Sequence, residues 1–483
     1  MSGSQTLARR ILGPGALMIL GVVASSPLTV AVAGVPTTFA ATGVSGVPLS
    51  FVVIAGVLGL LAVAFLGVCW HVPHASPFFA VWARGLGGRA GLAAAVLGFV
   101  AYNAIQISLY AFLGTRLVAL VGGVWWHWAA LAWLLIAILG ALHMTTNTVL
   151  LGGLLLVELT VLVLFVVAAL TMPTQPSAAA AWSWDSLAAH GLGGVLALGV
   201  AAFVGFEGGP TYAEEARSPS TVRGATLGVT GLLGVLYALV AWAILTGVGM
   251  SALTSGTDPS ALVFELLRRV YGAGVVDVAT LLLVTSVLAA MASFHHVIAR
   301  HVFGLAREQV LPGWLAAVST GTRGGTPLAG SLLQSAVAGV VIAGFVSSGA
   351  DPMAVMFTWL STLGAVGVMC LLAGASVAAY FFYRNGGGRN ESSLARVVVP
   401  LAGAVLGGLL IVFMFDNLNG LLGLPPDSKL VGLLPVLVVG AAVSGWMWGH
   451  LLRLSRPRVF ARLGLGTPAP VTVLDHDLAG LEV

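Results

Sequence analysis

Charge is what this sequence most lacks. Charged residues make up 7% of the 483-residue chain against 59% hydrophobic, and the mean hydropathy is +1.04. No water-soluble domain of this size could solvate such a surface, so the chain reads as an all-α integral membrane protein. Lysine is nearly missing, with Lys429 alone. The net charge of +4 and pI near 9.4 therefore do not describe a nucleic-acid surface, because the arginines are scattered through short loops as membrane topology distributes them. The two cysteines, Cys69 and Cys370, sit in or beside apolar segments and form no CxxC spacing. That excludes a disulfide framework and a metal knuckle, and leaves them as small core residues. Long polar linkers are also missing between Leu12 and Leu454, which implies one membrane domain. The opening MSGSQTLARR is short and basic without an A-x-A site, so the first helix is expected to be retained.

What is there is a series of apolar runs. A crossing needs about 20 apolar residues, and on that ruler twelve spans fall at 13–41, 47–69, 89–119, 125–144, 147–172, 191–216, 222–250, 273–303, 327–348, 351–383, 395–416 and 430–454. Twelve crossings put both ends on one side. Of the 20 lysines and arginines, all but Arg116, Arg268, Arg269 and Lys429 fall at a single face, which predicts that the termini, 1–12 and 455–483, are cytoplasmic in a cell membrane. Trp125, Trp126, Trp128, Trp182 and Trp184 at the other face suit a headgroup belt. Two loops carry structure of their own. DPSALVFELLRRVYG has Asp258 at an N-cap, Pro259 at the first helical position and apolar residues at helical spacing, predicting an external amphipathic helix. HVPHASPFFAVWARGLGGR mixes aromatics with arginines and reads as a short interfacial helix, with His71 and His74 as surface histidines.

Two spans contain helix breakers. Ser25, Ser26 and Pro27 interrupt the first, and GFEGGP at 205–210 interrupts the sixth. Segment 191–204 alone would be about 21 Å long at 1.5 Å per residue, too short to cross, so the sixth span continues through its glycines. A break inside a membrane frees backbone N–H and C=O groups, which is tolerated only where protein or a water-filled cavity receives them. Two breaks five spans apart point to a transporter with inverted repeats and a midplane site. The repeats would be 13–172 and 191–383, each of five spans, with 395–454 as two accessory helices.

Here the sequence resembles a family. SSPLTVAVAGVP, GFEGGPTYAEEARSP, SFHHVIARHVFGLAREQVLP with GTP at 325–327, and HASPFFAVWARGLG are similar to the corresponding stretches of bacterial amino acid permeases of the amino acid-polyamine-organocation superfamily. The likeness runs over spans one to ten. It implies a five-plus-five inverted repeat with discontinuous helices 1 and 6, and a carrier that moves an amino acid or related amine by proton coupling or by exchange. It calls for no cofactor and no metal; the partners are the small-molecule substrate, a coupling proton and the lipid bilayer. Ser25, Ser26 and Pro27 stand where many members have a small glycine-rich triplet, His74, Ser76 and Pro77 where Asn, Gly and Gly or Ala are commoner, and His296 where Asn is frequent.

The candidate site residues follow from the breaks. Backbone amides of the stretch Ser26, Pro27, Leu28, Thr29 and Val30, less the donor that Pro27 lacks, with the hydroxyls of Ser25, Ser26 and Thr29, would present a helix-dipole positive end to a carboxylate. Carbonyls from Phe203 to Gly205 would attract an ammonium group, with Phe206 as an apolar lid. Two roles are open to Glu207, as a partner for the amine or as an acceptor that braces the opened backbone. Glu158 in span five is the other intramembrane carboxylate; with no opposite charge nearby in sequence, a protonated, titratable form fits its setting. By resemblance it lies where some permeases place a lysine that substitutes for a sodium ion, and it is a candidate for proton coupling, with Ser293 nearby, or else a neutral hydrogen-bonded acid. Glu214, Glu215 and Arg217 face Arg300 and Arg307 as a candidate inner gate or as solvated helix ends. Tyr102, Asn103 and Gln106 lie about a turn apart in span three, as pathway lining or as helix-bridging polar groups; Thr358, Ser361 and Thr362 offer a weaker set in span ten.

Other classes fit less well. The GxSG string at 43–46 sits in an outer turn while the histidines lie toward the opposite face, so no nucleophile and base meet, as hydrolysis requires. GLGGRAG at 85–91 lacks the lysine and spacing of a P-loop. A channel would be expected to repeat its pore lining, which the chain does not do.

Overall fold

The computed structural model describes residues 12–141, 144–175, 178–188, 191–256, 258–319, 325–425 and 427–466. Arg9, Arg10 and Arg323, which contribute to the charge asymmetry, lie outside the described residues. Among those described the architecture is all-helical, and the sole strand-like contact is a parallel bridge between Leu12 and Ala216.

Among the described residues eleven helical segments are long and apolar enough to cross a bilayer. Spans 1 to 3 are Pro14–Thr42, Val47–His71 and Gly88–Val121. Span 5 is Met144–Thr171; spans 6 to 8 are Leu192–Tyr212, Pro219–Gly247 and Ala273–Arg307. Spans 9 to 12 are Leu328–Ser348, Pro352–Arg384, Leu394–Asp416 and Lys429–Ser455. Span 4, Trp125–Ala141, has 17 described residues, about 26 Å of helix. Local chemistry sets many of the starts. Ser218 accepts from the Thr221 amide (3.2 Å), Asp258 from Ser260 (3.0 Å), and Asp351 from Met353 and Ala354 (2.8 and 2.6 Å), each followed by proline at the first helical position.

Burial separates the bundle's interior from its lipid face. The apolar stretch of span 3 is 83% buried and those of spans 6 and 10 are 72% buried, against 28% for span 11 and 22% for span 12. Span 3 is the central post, touching spans 4, 8, 10 and 12. Spans 11 and 12 turn Val405, Val412, Val436, Val439 and Leu451 outward, as helices solvated by lipid tails do. The loop helix Pro259–Tyr271 forms as expected, with Val263, Leu266 and Leu267 buried.

The loop between spans 2 and 3 departs from expectation. Its helix, Pro77–Leu86, is buried against spans 3 and 10 rather than lying at the interface. Phe78 stacks on Phe65 of span 2 with centroids 4.3 Å apart, and Trp82 donates to the Leu371 carbonyl at 3.2 Å. His74 is likewise enclosed rather than exposed: its Nδ1 accepts from the Ser76 amide (2.8 Å), which leaves Nε2 to donate to Glu308 at 2.9 Å. The composition of the loop reports its amphipathicity, but only the folded chain shows that the end of span 8 reaches over it.

Span 12 lies against span 3 through Gly445, which abuts the Leu92 carbonyl and Ala93, and Gly449, which abuts Arg89; the Arg89 guanidinium sits 5.2 Å over the Trp446 ring. Gly445→Val should wedge this contact open at about 1–3 kcal/mol, the usual cost of overpacking. The expected outcome is a lower melting temperature in detergent, whereas Gly440→Val, where an added Cβ meets nothing within 4 Å, should leave it unchanged.

Candidate functional site

Span 1 stops being helical at Ser25. Its first half, Pro14–Ala24, ends there, Ser26 takes a left-handed conformation (φ 46°, ψ 67°), and Pro27 restarts a helix that continues through a π-helical stretch, Val30–Gly34. A left-handed non-glycine residue costs roughly 1–2 kcal/mol. The Ser26 hydroxyl offsets this by bonding Thr29 Oγ1 at 2.6 Å and Ser286 Oγ at 2.9 Å. Pro27 has no N–H, and the first bond of the new helix runs from the Val30 amide to the Ser26 carbonyl (3.1 Å), so the amides of Leu28 and Thr29 are its open first-turn donors.

Span 6 breaks opposite. Leu192–Phe203 ends, Gly205 swings to φ 113°, and Phe206–Tyr212 continues as a 3-10 helix through Pro210, so the span is interrupted at GFEGGP as its helix breakers predict. Glycine is required at 205 twice over: φ is positive, and a Cβ would lie 2.9 Å from the carbonyl carbon and Cβ of Ala24. The two breaks therefore touch. The Ser25 hydroxyl lies 3.3 Å from the Phe203 carbonyl, sharing its hydrogen with the Gly21 carbonyl at the same distance, and Tyr237 of span 7 donates to the Ser25 carbonyl at 3.4 Å. Glu207, 1% exposed, accepts from the Gly205 amide (2.9 Å) through one oxygen and from the Tyr102 hydroxyl (3.1 Å) through the other.

A second buried carboxylate reaches the same place from span 5. Ser286 of span 8 donates to Glu158 at 2.8 Å and meets the Ser26 hydroxyl on its other side. Glu158, Ser286, Ser26 and Thr29 thus form an unbroken hydrogen-bonded series joining spans 5, 8 and 1.

The arginine-rich end is closed by ion pairs. Arg300 grips Glu215 through two bonds of 2.6 and 3.0 Å, bonds the His296 carbonyl at 3.2 Å, and lies 4.7 Å over the Tyr212 ring. Arg307 holds Glu214 through two bonds, one of 2.7 Å from Nη1. Beside them Leu12 exchanges backbone bonds of 3.0 Å with Glu215 and Arg217. Between this closure and the breaks lies a cavity of about 10 Å³ bordered by Tyr102, Thr211, Val297, His301 and the loop residues Pro77 and Phe78, room for about one water. A larger cavity, about 350 Å³, lies between Trp125, Trp126, Phe345 and Asp351.

A sequence profile described as amino acid permease matches residues 16–442. The chain belongs to the amino acid permease family. No curated protein matches it. Among solved structures, the permease is similar to a manganese transporter of Eremococcus coleocola bound to an aromatic bis-isothiourea compound, at 15% identity and a TM-score of 0.60, over 95% of this chain and 100% of that one. A histidine-to-alanine mutant of the same transporter aligns at 15% identity and a TM-score of 0.58, over 94% and 99% of the two chains. At such identity the likeness shows the fold alone.

In the permease the candidate residues are divided among three places. Ser25, Ser26, Phe203, Gly205, Glu207 and Tyr102 meet at the breaks. Gln106 does not join them: it donates to Tyr110 (2.9 Å) and accepts from Gln334 of span 9 (2.7 Å), while Asn103 donates to the Phe99 carbonyl (2.9 Å). Ser293 is not the residue bonded to Glu158. Ser286 is, two turns earlier on the same face of span 8; a seven-residue offset along a 3.6-residue helix is the signal that would have found it. Arg217 joins the closure through its backbone, and among the described residues its side chain forms no ion pair. The Glu215–Arg300 pair is buried, with side chains 3% and 2% exposed, and is not a solvated helix end.

Removing one partner of such a pair strands a buried charge. Glu215→Leu alone should destabilise the permease by about 3–5 kcal/mol, and Arg300→Met combined with it should recover most of that loss. Thermal unfolding of the single and double variants in one detergent checks the cycle.

Proposed function

We propose that the permease is a secondary carrier that moves an amino acid or related amine across the cell membrane, with its arginine-rich face toward the cytoplasm, by alternating access coupled to protons. The observation that carries the reading is the joined pair of breaks. The open amides of Leu28 and Thr29 suit a carboxylate, and the Val204 and Gly205 backbone beside Phe206 suits an ammonium group. In this reading Glu207 braces span 6, because both of its oxygens are already engaged by Gly205 and Tyr102.

Glu158 is proposed as the proton site. Three hydroxyls link it to the span 1 break, and hydroxyl chains can reverse their donor order when a proton is gained or lost at one end. Protonation of Glu158 would thereby alter the bonds that hold Ser26 in its left-handed conformation. The Glu215–Arg300 and Glu214–Arg307 pairs are proposed as the inner gate, parting when the cytoplasmic side opens. A divalent metal cargo, as in the Eremococcus transporter, is less well supported: the groups at these breaks are hydroxyls, amides and two carboxylates, Glu207 and Glu158, both engaged in hydrogen bonds, and among the described residues no group of three or more His, Cys, Asp or Glu is placed to hold a metal ion.

Proteoliposomes loaded with a panel of amino acids and amines, with and without a pH gradient, test the reading. The expected result is saturable counterflow of one chemical class, stimulated at least tenfold by the gradient. Glu158→Ala should keep counterflow and lose the stimulation; full gradient-driven uptake by that variant would remove Glu158 from coupling. Counterflow indifferent to the gradient in the unaltered protein would identify an exchanger.

Glu207→Gln separates brace from ion pair. A glutamine can still accept from the Gly205 amide, so binding within about threefold of the unaltered protein is expected, while Glu207→Ala should lose most of it. Equal loss in both variants would assign the carboxylate charge to the substrate amine.

A further inference from the structure

The small cavity beneath Tyr102 has a floor, and residues 457–466 pack against the helix that forms it. Pro77 and Phe78, at the start of the loop helix Pro77–Leu86, border the cavity together with Thr211. Residues 457–466 leave span 12 and cross this helix from the arginine-rich side. Leu463, 5% exposed, is buried in a cluster with Phe79, Ala80 and Ala83 of the loop helix and Leu305 of span 8. Gly464 runs so close that a Cβ would lie 2.8 Å from the Ala83 Cβ and 3.2 Å from the Ala80 carbonyl oxygen, at a positive φ of 74°.

One carboxylate clasps this segment. Glu308, 6% exposed, accepts from the Gly464 and Gly466 amides at 2.9 Å each and from His74 Nε2 at 2.9 Å. Burial by itself would raise its pKa, yet His74 and the two glycine amides hold the group below the ordinary glutamate value. The grip has a second point. Gln309, itself left-handed (φ 63°), turns its carbonyl to the Arg456 guanidinium at 3.0 Å. His74 is in turn fixed through Ser76 to His301, which donates to the Ala95 carbonyl of span 3 (3.0 Å). Glu308 also follows directly on Arg307, which holds Glu214.

We propose that residues 457–466 form a strap that keeps the arginine-rich end of the permease closed, by pinning the loop helix over the cavity and fixing the end of span 8 that carries the gate arginines. The inference rests on the alternating-access reading above, since only a carrier that opens at this end has a closure to hold. Opening requires the loop helix or the end of span 6 to move apart from span 8, and the strap couples the loop helix to span 8 through apolar contact and through Glu308 at once. Release of the strap is then a step on the way to the inward-open state, and anything that displaces it speeds that step.

The test reads opening and not uptake. In a Cys69→Ala, Cys370→Ala background, Thr211→Cys on the cavity wall is labelled with a maleimide from the arginine-rich side. The intact strap is compared with Glu308→Gln, Gly464→Val and a chain ending at Ser455. Labelling about tenfold faster is expected for the truncation and for Gly464→Val. A smaller, roughly threefold, rise is expected for Glu308→Gln, which keeps every apolar contact but weakens charge-assisted bonds. Unchanged or slower labelling in Glu308→Gln and Gly464→Val proteins that elute as single species would overturn the strap, and the near-isosteric glutamine variant gives the answer even where the truncation does not fold. Because labelling needs no substrate, a failed strap leaves counterflow as evidence for transport, and failed counterflow leaves the labelling result to stand.

Discussion

A helix broken inside a membrane has to find partners for the backbone groups it frees, and the permease is organised around that requirement. Its answer is to make the two breaks serve each other. The carbonyl that ends the first part of span 6 is taken by Ser25 of span 1, the Gly205 amide is taken by Glu207, and the left-handed Ser26 is held by hydroxyls from its own turn and from span 8. The close approach of Gly205 to Ala24 is what brings Ser25 within reach of the Phe203 carbonyl. A side chain at 205 would separate the breaks and expose the polar backbone of each to apolar surroundings, where an unsatisfied group costs several kcal/mol.

Around this junction the helices divide the work of holding it. Span 3 supplies Tyr102 to Glu207 and is itself fastened to span 9 through Gln106 and Gln334. Span 7 reaches the Ser25 carbonyl through Tyr237, whose ring lies 5.5 Å from those of both Phe51 and Phe203. Span 8 does more than any other, touching Glu158 and Ser26 through Ser286, Glu215 through Arg300 and, just beyond its end, His74 through Glu308. One rigid helix thus joins the proposed proton site, the proposed gate and the proposed strap, so a displacement of span 8 relative to spans 1 and 6 would be felt at all three. Buried ion pairs add little net stability over an apolar equivalent. Their presence at the arginine-rich end is consistent with the proposed gate, a closure that would be unmade as a unit.

Much of this is legible in the chain and some of it is not, for a consistent reason. The helix breakers of GFEGGP and SSP act on their own backbone, so the interruption of spans 1 and 6 can be read locally, as can the Asp258 and Pro259 start of the external loop helix. Contacts made across hundreds of residues cannot. His74 reads as a surface histidine because Glu308, its partner, lies 234 positions away. Ser293, the neighbour expected for Glu158, lies on the correct face of span 8 but two turns from the serine that bonds it. Gln106 shares a helix with Tyr102, yet it turns to span 9, a direction no periodicity in span 3 reveals.

The amino-acid sequence by itself determined that this is a multi-pass membrane protein with two interrupted helices and the architecture of its family, because hydropathy and helix-breaking residues act over one or two turns and need no partner to be read. Tertiary structure alone decided which polar groups meet. It set Glu207 against Gly205 and Tyr102, linked Glu158 through Ser286 to Ser26, and brought residues 457–466 to Glu308 beside His74. A buried polar group is satisfied by whatever lies within about 3 Å of it in space, and in a bundle of long helices that neighbour is chosen by packing and not by position along the chain.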